Sequence, residues 1–125
     1  THCISSAASD VYKRQLLGIG GPLSNTSSRW RDLLTDTDRE LLKERQAIGD
    51  CCCTFFDKHG KILTGDLLDR TIAIPLPQLA HVPNSIGIAR SLTKAPAILA
   101  LLKMGVLNTL VTDAETAQRV LDLGD

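Results

Sequence analysis

The last forty or so residues alternate between strand and helix patterns, and this alternation restricts the fold more than any other feature. Strands are predicted at Ser85–Ala89 and Val106–Thr112, with helices at Ala95–Met104 and from a cap at Asp113 to Gly124. Two strands joined by a helix of about ten residues form a βαβ unit, which has parallel strands and a right-handed crossover. The predicted fold class is α/β, with a Rossmann-like parallel sheet.

The ends of the first of these helices are marked by residues with known preferences. Pro96 lies in the first turn, where a missing N–H does no harm, and Gly105 follows the last turn. The helix between them is apolar almost all round. We therefore expect it to pack against more protein than its own sheet.

Upstream, the pattern predicts a first strand and a first helix. The strand covers Leu16–Ile19, and glycines then begin a polar loop. Thr37 and Glu40 have the spacing of a capping box, and an apolar stripe at helical spacing follows until Gly49.

The middle of the chain predicts a β-hairpin inserted into the sheet. Residues 50–57 have the pattern of one strand, Asp57–Gly60 has turn chemistry, and Lys61–Thr64 returns as the partner strand. Arg70–Ile74 predicts a further strand. Prolines end that strand, and one helical turn is expected at Gln78–His81.

The charge balance narrows the classes of function. The 125 residues include 14 Lys and Arg against 14 Asp and Glu. Binding nucleic acid or an anionic membrane relies on a basic surface, so the zero net charge argues against both for this chain alone. No stretch reaches the roughly 18–20 apolar residues of a spanning helix, and no secretory signal is present. We expect a soluble cytoplasmic protein without a membrane partner.

The four cysteines predict free thiols and no metal site. Cys51, Cys52 and Cys53 are adjacent, and neighbouring strand side chains point to opposite faces, so they cannot converge on one ion. Cys3 stands apart. Buried or half-buried free thiols fit a reducing compartment.

The first fifteen residues differ from the rest. Residues 1–15 have little hydrophobic periodicity and resemble a translated adaptor, so we expect a non-native or disordered leader. Residues 16–125 are then part of a larger α/β domain.

Ligands bind open α/β sheets beyond the carboxyl ends of the strands, and three segments qualify. Gly18–Gly21, which contains Gly20, lets the backbone approach a ligand, although a plain tight turn explains it equally well. Asp50 can accept hydrogen bonds from sugar hydroxyls, or it caps or pairs locally.

The third segment, Ser91–Lys94, opens a helix. The hydroxyls of Ser91 and Thr93 and the ammonium of Lys94 form a plausible phosphate cradle at the helix N-terminus. A cation in the first turn opposes the helix dipole unless an anion offsets it. The alternative is a solvated lysine beside an ordinary cap.

Nothing in the sequence points to catalysis. It contains no nucleophile elbow, no Ser-His-Asp order and no carboxylate pair with acid/base spacing. No catalytic residue, cofactor or metal is predicted.

Several short blocks together resemble the C-terminal part of the sugar-binding domain of bacterial SorC/DeoR-type transcriptional regulators. The resemblance covers residues 16–123. It is carried by these blocks in order: Gly18–Gly20, Ala47–Asp50, Phe55–Gly60, Arg70–Ile74, Leu79–Pro83, Lys94–Ile98 and Leu110–Ala117.

The resemblance implies a fold related to sugar-phosphate isomerases and deaminases. It also implies a phosphorylated sugar effector, a DNA-binding N-terminal helix-turn-helix absent from this chain, and a homo-oligomer such as a tetramer. By motif, Lys94 would meet the phosphate, Asp50 would accept from ligand hydroxyls, and Gly20 would lie near the site. The family often has glycine before the lysine, where this chain has Arg90–Thr93.

Two other interpretations stay open on the sequence alone. One is an enzyme of the related fold, a sugar-phosphate isomerase or deaminase, which would need an acid/base set. The other is a structural fragment with exposed apolar surface and no activity alone.

Overall fold

The computed structural model describes residues 14–23 and 33–125. The strands of these ranges are β1 (Arg14–Gly20), β2 (Gly49–Cys51), β3 (Thr54–Phe56), β4 (Asn84–Ile88) and β5 (Thr109–Val111). The helices are α1 (Asp36–Glu44), α2 (Asp66–Asp69), α3 (Leu76–Leu79), α4 (Ala95–Lys103) and α5 (Ala114–Gly124). A 3-10 turn at Leu92–Lys94 leads directly into α4.

The strands form one mixed sheet in the order β3-β2-β1-β4-β5. β1 pairs with β4 and β4 with β5 in parallel, whereas β1 pairs with β2 and β2 with β3 in antiparallel fashion. The α/β class and the parallel core are therefore confirmed. A hairpin of β2 and β3 extends this sheet along one edge of β1, so the whole sheet is mixed.

The predicted βαβ unit is present with small shifts. β4 begins one residue early, at Asn84, and β5 is shorter than predicted because Val106 and Leu107 pack in the core before the strand starts. Gly105 follows α4 at a φ of 73°. Asp113 caps α5, as predicted, and its side chain accepts from the amide of Thr116.

α4 covers one face of the sheet. Ala95, Ala97, Ile98 and Leu101 are fully buried, and the helix packs against α5 and β1. The apolar residues on different sides of α4 thus pack against two neighbours, α5 and β1. The core around it comprises these further buried residues: Leu17, Ile19, Cys51, Phe56, Ile74, Leu76, Leu79, Ala89, Ala100, Val106, Leu107 and Val120.

The opposite face of the parallel strands is exposed. Leu16 is paired with Ile86, and Ile88 is paired with Val111, so these side chains lie on one side of the sheet. Leu16, Ile88 and Val111 are 67%, 49% and 52% exposed.

The capping box of α1 lies two residues earlier than predicted. Thr35 is the N-cap, its hydroxyl accepts from the Asp38 amide at 3.1 Å, and Asp38 accepts from the Thr35 amide at 3.0 Å. Arg70 also donates to Asp38 at 2.8 Å, a contact that the predicted cap at Thr37 would not provide. The helix ends at Glu44, and not at Gly49, because Gln46 turns the chain at a φ of 58°.

The predicted single strand at 50–57 is two strands. Cys51 pairs with Thr54, so Cys52 and Cys53 form a two-residue turn, with φ of 50° and 58°. Positive φ at both central residues matches the twist of a hairpin. Lys61–Thr64 is not a strand; it contributes one antiparallel bridge, from Ile62 to Phe56.

Two further predictions differ from the structure. Arg70–Ile74 forms no strand, and the expected helical turn at Gln78–His81 is α3, two residues earlier, with Pro77 in its first turn. Cys51 and Cys52 are free thiols, but Cys53 is disulfide-bonded, so the free-thiol prediction is wrong there. Among the described residues, no helix is long and apolar enough to cross a bilayer.

Candidate functional site

The carboxyl end of β1 meets the start of β2 at Gly20 and Asp50. These residues are paired across the antiparallel strands. A Cβ built on Gly20 would overlap the Asp50 Oδ1 atom and lie 2.9 Å from Asp50 Cγ. The absence of a side chain at Gly20 therefore makes room for the buried Asp50 carboxylate.

Gly49 brings the hairpin against α4. A Cβ at this position would overlap the carbonyl oxygen of Gly20 and lie 2.7 Å from the Cβ of Ala97. Since Ala97 lies in the first turn of α4, Gly49 allows β2 to approach the N-terminal end of that helix closely. The sequence predicts Gly49 as the end of the first helix, whereas in the structure it lies in β2 and permits this approach.

Gly21 carries the chain from β1 past the Lys94 side chain. The Cβ position of Gly21 is 3.2 Å from Lys94 Cγ and 3.7 Å from the Thr93 carbonyl oxygen. The aliphatic part of Lys94 thus lies beside Gly21. The three segments selected from the sequence, around Gly20, Asp50 and Lys94, therefore come together at one end of the sheet.

The turn before α4 is held in an unusual backbone conformation. Ser91 has φ 130° and ψ 138°, a combination that is almost confined to glycine. Its Oγ lies 2.9 Å from Thr93 Oγ1, and its carbonyl accepts from the Lys94 amide at 3.0 Å. The two hydroxyls therefore sit together at the entrance of α4, both on exposed residues.

A hydrogen-bonded chain connects this turn to α5. The Ser91 amide donates to Thr116 Oγ1 at 3.0 Å, and the Thr116 amide donates to Asp113 Oδ1 at 2.8 Å. The hydrogen bonds from Thr116, followed by the nearby charge of Arg90, hold the pKa of Asp113 below its usual value. Asp113 is therefore ionised at neutral pH, where a carboxylate caps a helix best.

Two ionisable groups at the site, the Lys94 ammonium and the Cys51 thiol, have different surroundings. Lys94 is half-buried, and its ammonium forms no ion pair with any residue in the described ranges. The hydrogen bond with Cys52, together with burial, raises the pKa of the neighbouring Cys51 thiol. The protonated form of the Cys51 thiol is therefore favoured, and the residue is fully buried.

The arrangement suits reversible binding of a polar ligand. It offers a cation and two hydroxyls at the N-terminal end of a helix, with a carboxylate nearby, which are groups that recognise an anion bearing hydroxyls. No group of three or more His, Cys, Asp or Glu with metal-binding geometry occurs within residues 14–23 and 33–125.

Thr116 is the residue of this arrangement that the sequence does not identify. Ser91 is predicted from its hydroxyl, but its unusual backbone conformation leaves no signal in the residue type. Thr116 was not selected, because only the fold brings a residue of α5 beside Ser91. The one available signal was its position three residues after Asp113, where a capped amide is expected.

A separate apolar groove lies between α1, α2 and β3, away from these residues. Its lining comprises Leu41, Leu42, Arg45, Cys53, Phe55, Leu63, Thr64, Leu67 and Leu68. None of the predicted site residues contributes to it.

The chain matches one family model over most of its length. Residues 6–122 match the family described as "Putative sugar-binding domain". Among curated proteins, the sorbitol operon regulator of Klebsiella pneumoniae is 32% identical over 106 residues, which are 85% of this chain and 34% of that protein. Transcriptional regulator LsrR of Escherichia coli strain K12 is 40% identical over 76 residues, 60% of this chain and 24% of that protein.

Solved structures give the same result. A transcriptional regulator from Streptococcus pneumoniae TIGR4 matches with a TM-score of 0.83 and 37% identity, over 90% of this chain and 44% of that one. The chain thus spans about a third or less of the two curated relatives and under half of the solved structure.

Proposed function

Because the chain belongs to the sugar-binding domains of SorC/DeoR-type bacterial transcriptional regulators, we propose that it senses a phosphorylated sugar or a related metabolite. Its relatives are transcriptional regulators and not enzymes. Binding would favour one conformation of the complete regulator and thereby change its affinity for an operator. No chemical step is required of this domain.

The convergence of Gly20, Asp50 and Lys94 is the observation that carries the proposal. Lys94 is the N-cap residue of α4, where a cation opposes the helix dipole, so an unliganded Lys94 is electrostatically unfavourable there. A bound phosphate reverses the balance, since it is attracted both by the ammonium and by the positive end of α4. In this proposal Lys94 contacts the phosphate.

The other predicted residues have complementary roles. Asp50 accepts hydrogen bonds from ligand hydroxyls, while Ser91 and Thr93 supply donors beside the phosphate. Gly20 and Gly21 keep the floor of the site free of side chains. Arg90–Thr93, bulkier than glycine, would then narrow the site and influence which sugar it takes.

The remaining parts of the proposal concern the complete protein. DNA would be bound by an N-terminal helix-turn-helix outside this chain, in a homo-oligomer such as a tetramer acting in the cytoplasm. The DNA-binding, oligomeric and cellular assignments rest on the family resemblance, since the chain spans only part of each relative. Residues 1–13 would have no role in the site. Arg14 and Gln15, which the sequence places in the leader, instead begin β1 and pair with Asn84 and Ser85.

Isothermal calorimetry with the 125-residue chain tests the ligand class. Glucose 6-phosphate, fructose 6-phosphate and sorbitol 6-phosphate are each compared with the unphosphorylated compound, and we expect measurable binding of at least one phosphate ester only. Lys94→Ala should weaken that binding about 10- to 100-fold, the effect of losing a charged hydrogen bond.

Lys103→Ala provides the matched control. Lys103 lies at the other end of the same helix, and its loss leaves a phosphate at the N-terminus untouched. Equal affinity of the wild type and the Lys94→Ala variant for the phosphate ester would reject the site assignment.

A further inference from the structure

We propose that Thr116 is a positioning residue, whose buried hydroxyl holds Ser91 in the backbone conformation that shapes the phosphate-binding turn. This inference rests on the proposed function, since it concerns how the same site is kept in order. Thr116 itself has no predicted contact with the ligand.

The turn at Ser91 needs a stabilising contact from outside because its backbone conformation is unfavourable. With φ 130° and ψ 138°, Ser91 occupies a region that residues bearing a Cβ rarely enter. Such a conformation persists only where surrounding contacts favour it. Within its own turn, Ser91 has the side-chain contact with Thr93 and the bond from the Lys94 amide, both of which are short-range.

Thr116 supplies the contact from outside the turn. Its Oγ1 accepts the Ser91 amide at 3.0 Å, and its side chain is almost fully enclosed, with 1% of the residue exposed. Its own amide is fixed by Asp113 at 2.8 Å. Because α5 also packs along α4, Thr116 is a rigid acceptor and not a mobile surface group.

Loss of this acceptor would release the turn. The Ser91 amide would be left without a protein partner, and the backbone would relax toward negative φ. The Oγ of Ser91, which also accepts from the Thr93 amide, would then move away from the start of α4. The donors would no longer be preorganised for an anion.

The test follows the amide of residue 91 and the binding of inorganic phosphate by NMR titration of the 125-residue chain. Thr116→Val keeps the volume but removes the acceptor, so we expect phosphate affinity to fall about tenfold and hydrogen exchange at residue 91 to accelerate. Thr116→Ser keeps the hydroxyl and should restore affinity to within about twofold of the wild type.

Two outcomes would overturn the inference. The first is that Thr116→Val and Thr116→Ser bind phosphate equally well although Lys94→Ala weakens binding. In that case the phosphate site exists, but Thr116 has no role in it. The other is fast exchange of the Ser91 amide in the unliganded wild type, a measurement that needs no variant to fold. If Lys94→Ala has no effect on phosphate binding, the proposed phosphate site is rejected. The hydrogen-exchange rate of the Ser91 amide then still tests whether Thr116 holds the turn.

Discussion

Gly20 and Asp50 form the tightest contact of the site, and that contact makes glycine necessary at position 20. We predict that Gly20→Ala lowers the free energy of unfolding by about 2 kcal/mol or more, because the new methyl overlaps the buried carboxylate of Asp50. Gly18→Ala is the control, since a Cβ on Gly18 meets nothing within 4 Å. It should be neutral or slightly stabilising. Urea denaturation measures both, and equal effects would contradict the steric argument.

Ser91 gives a second prediction at this scale. Its φ of 130° is open to glycine and strained for a β-branched residue. Ser91→Gly should change the free energy of unfolding by less than about 1 kcal/mol, whereas Ser91→Val should lower it by about 2 kcal/mol or more. Thermal unfolding of the two variants distinguishes them, and a well-tolerated valine would show that the turn is not strained.

Some residues of the site can be identified from the sequence, and others cannot. Lys94, Asp50 and Gly20 belong to short motifs with known chemistry, so pattern and resemblance both select them. The position of Thr116 beside Ser91 arises from the packing of α5 on α4, and no local pattern encodes such a contact.

The α1 helix is stabilised by Asp38, and its contribution depends on pH. Burial alone would raise the pKa of Asp38, but hydrogen bonds from the Thr35 amide and from Arg70 outweigh it and bring the pKa below the usual 3.8. The ionised form is therefore favoured in the folded state. Its stabilising effect is complete above about pH 4 and is lost as the pH falls further, through the folded-state pKa.

Asp38→Asn tests this dependence. The variant should be less stable than the wild type at pH 7, and the difference should shrink as the pH falls below about 4, because the wild-type carboxylate becomes protonated. Urea denaturation between pH 7 and pH 3 provides the measurement. Asp36→Asn is the control, because Asp36 shares the first turn of α1 and is exposed. A difference for Asp38→Asn that stays constant across this range would contradict the role of Asp38.

The β2–β3 turn gives a prediction for the hairpin. Cys52 has a φ of 50°, which asparagine tolerates and valine does not. We expect Cys52→Asn to be more stable than Cys52→Val by about 1 kcal/mol or more. Thermal unfolding under identical redox conditions compares the two, and the reverse order would mean that side-chain packing decides the stability of this turn.

Elements were predicted well where periodicity and end signals agree. α4, with Pro96 at its start and Gly105 after its end, was placed to within one residue. The start of α1 was misplaced because Thr35 and Thr37 both precede an acidic residue at capping-box spacing, and only the tertiary bond from Arg70 to Asp38 distinguishes them. The turn at Cys52 was missed because cysteine carries no signal for positive φ.

At the scale of the whole molecule, the exposed face of the parallel strands determines how the isolated chain behaves. A parallel sheet is normally covered on both faces, and here Leu16 and Ile88 lie uncovered. We predict that the chain binds a hydrophobic dye such as ANS, and that the double variant Leu16→Lys/Ile88→Lys binds much less with little change in unfolding midpoint.

Leu17→Lys is the matched control on the same strand. Leu17 points to the buried face, so a charge there should unfold the chain. Dye binding that is unchanged in the double variant would show that the apolar surface lies elsewhere.

The central position of β1 imposes an order on folding during synthesis. Its antiparallel partner is supplied by β2, and its parallel partner, from Asn84 to Ile88, is made much later. A growing chain on the ribosome can close the first edge of β1 early, but the second edge stays open until β4 has emerged. Pairings of such long sequence separation form slowly, so one edge of β1 stays unpaired while the residues between β1 and β4 are synthesised.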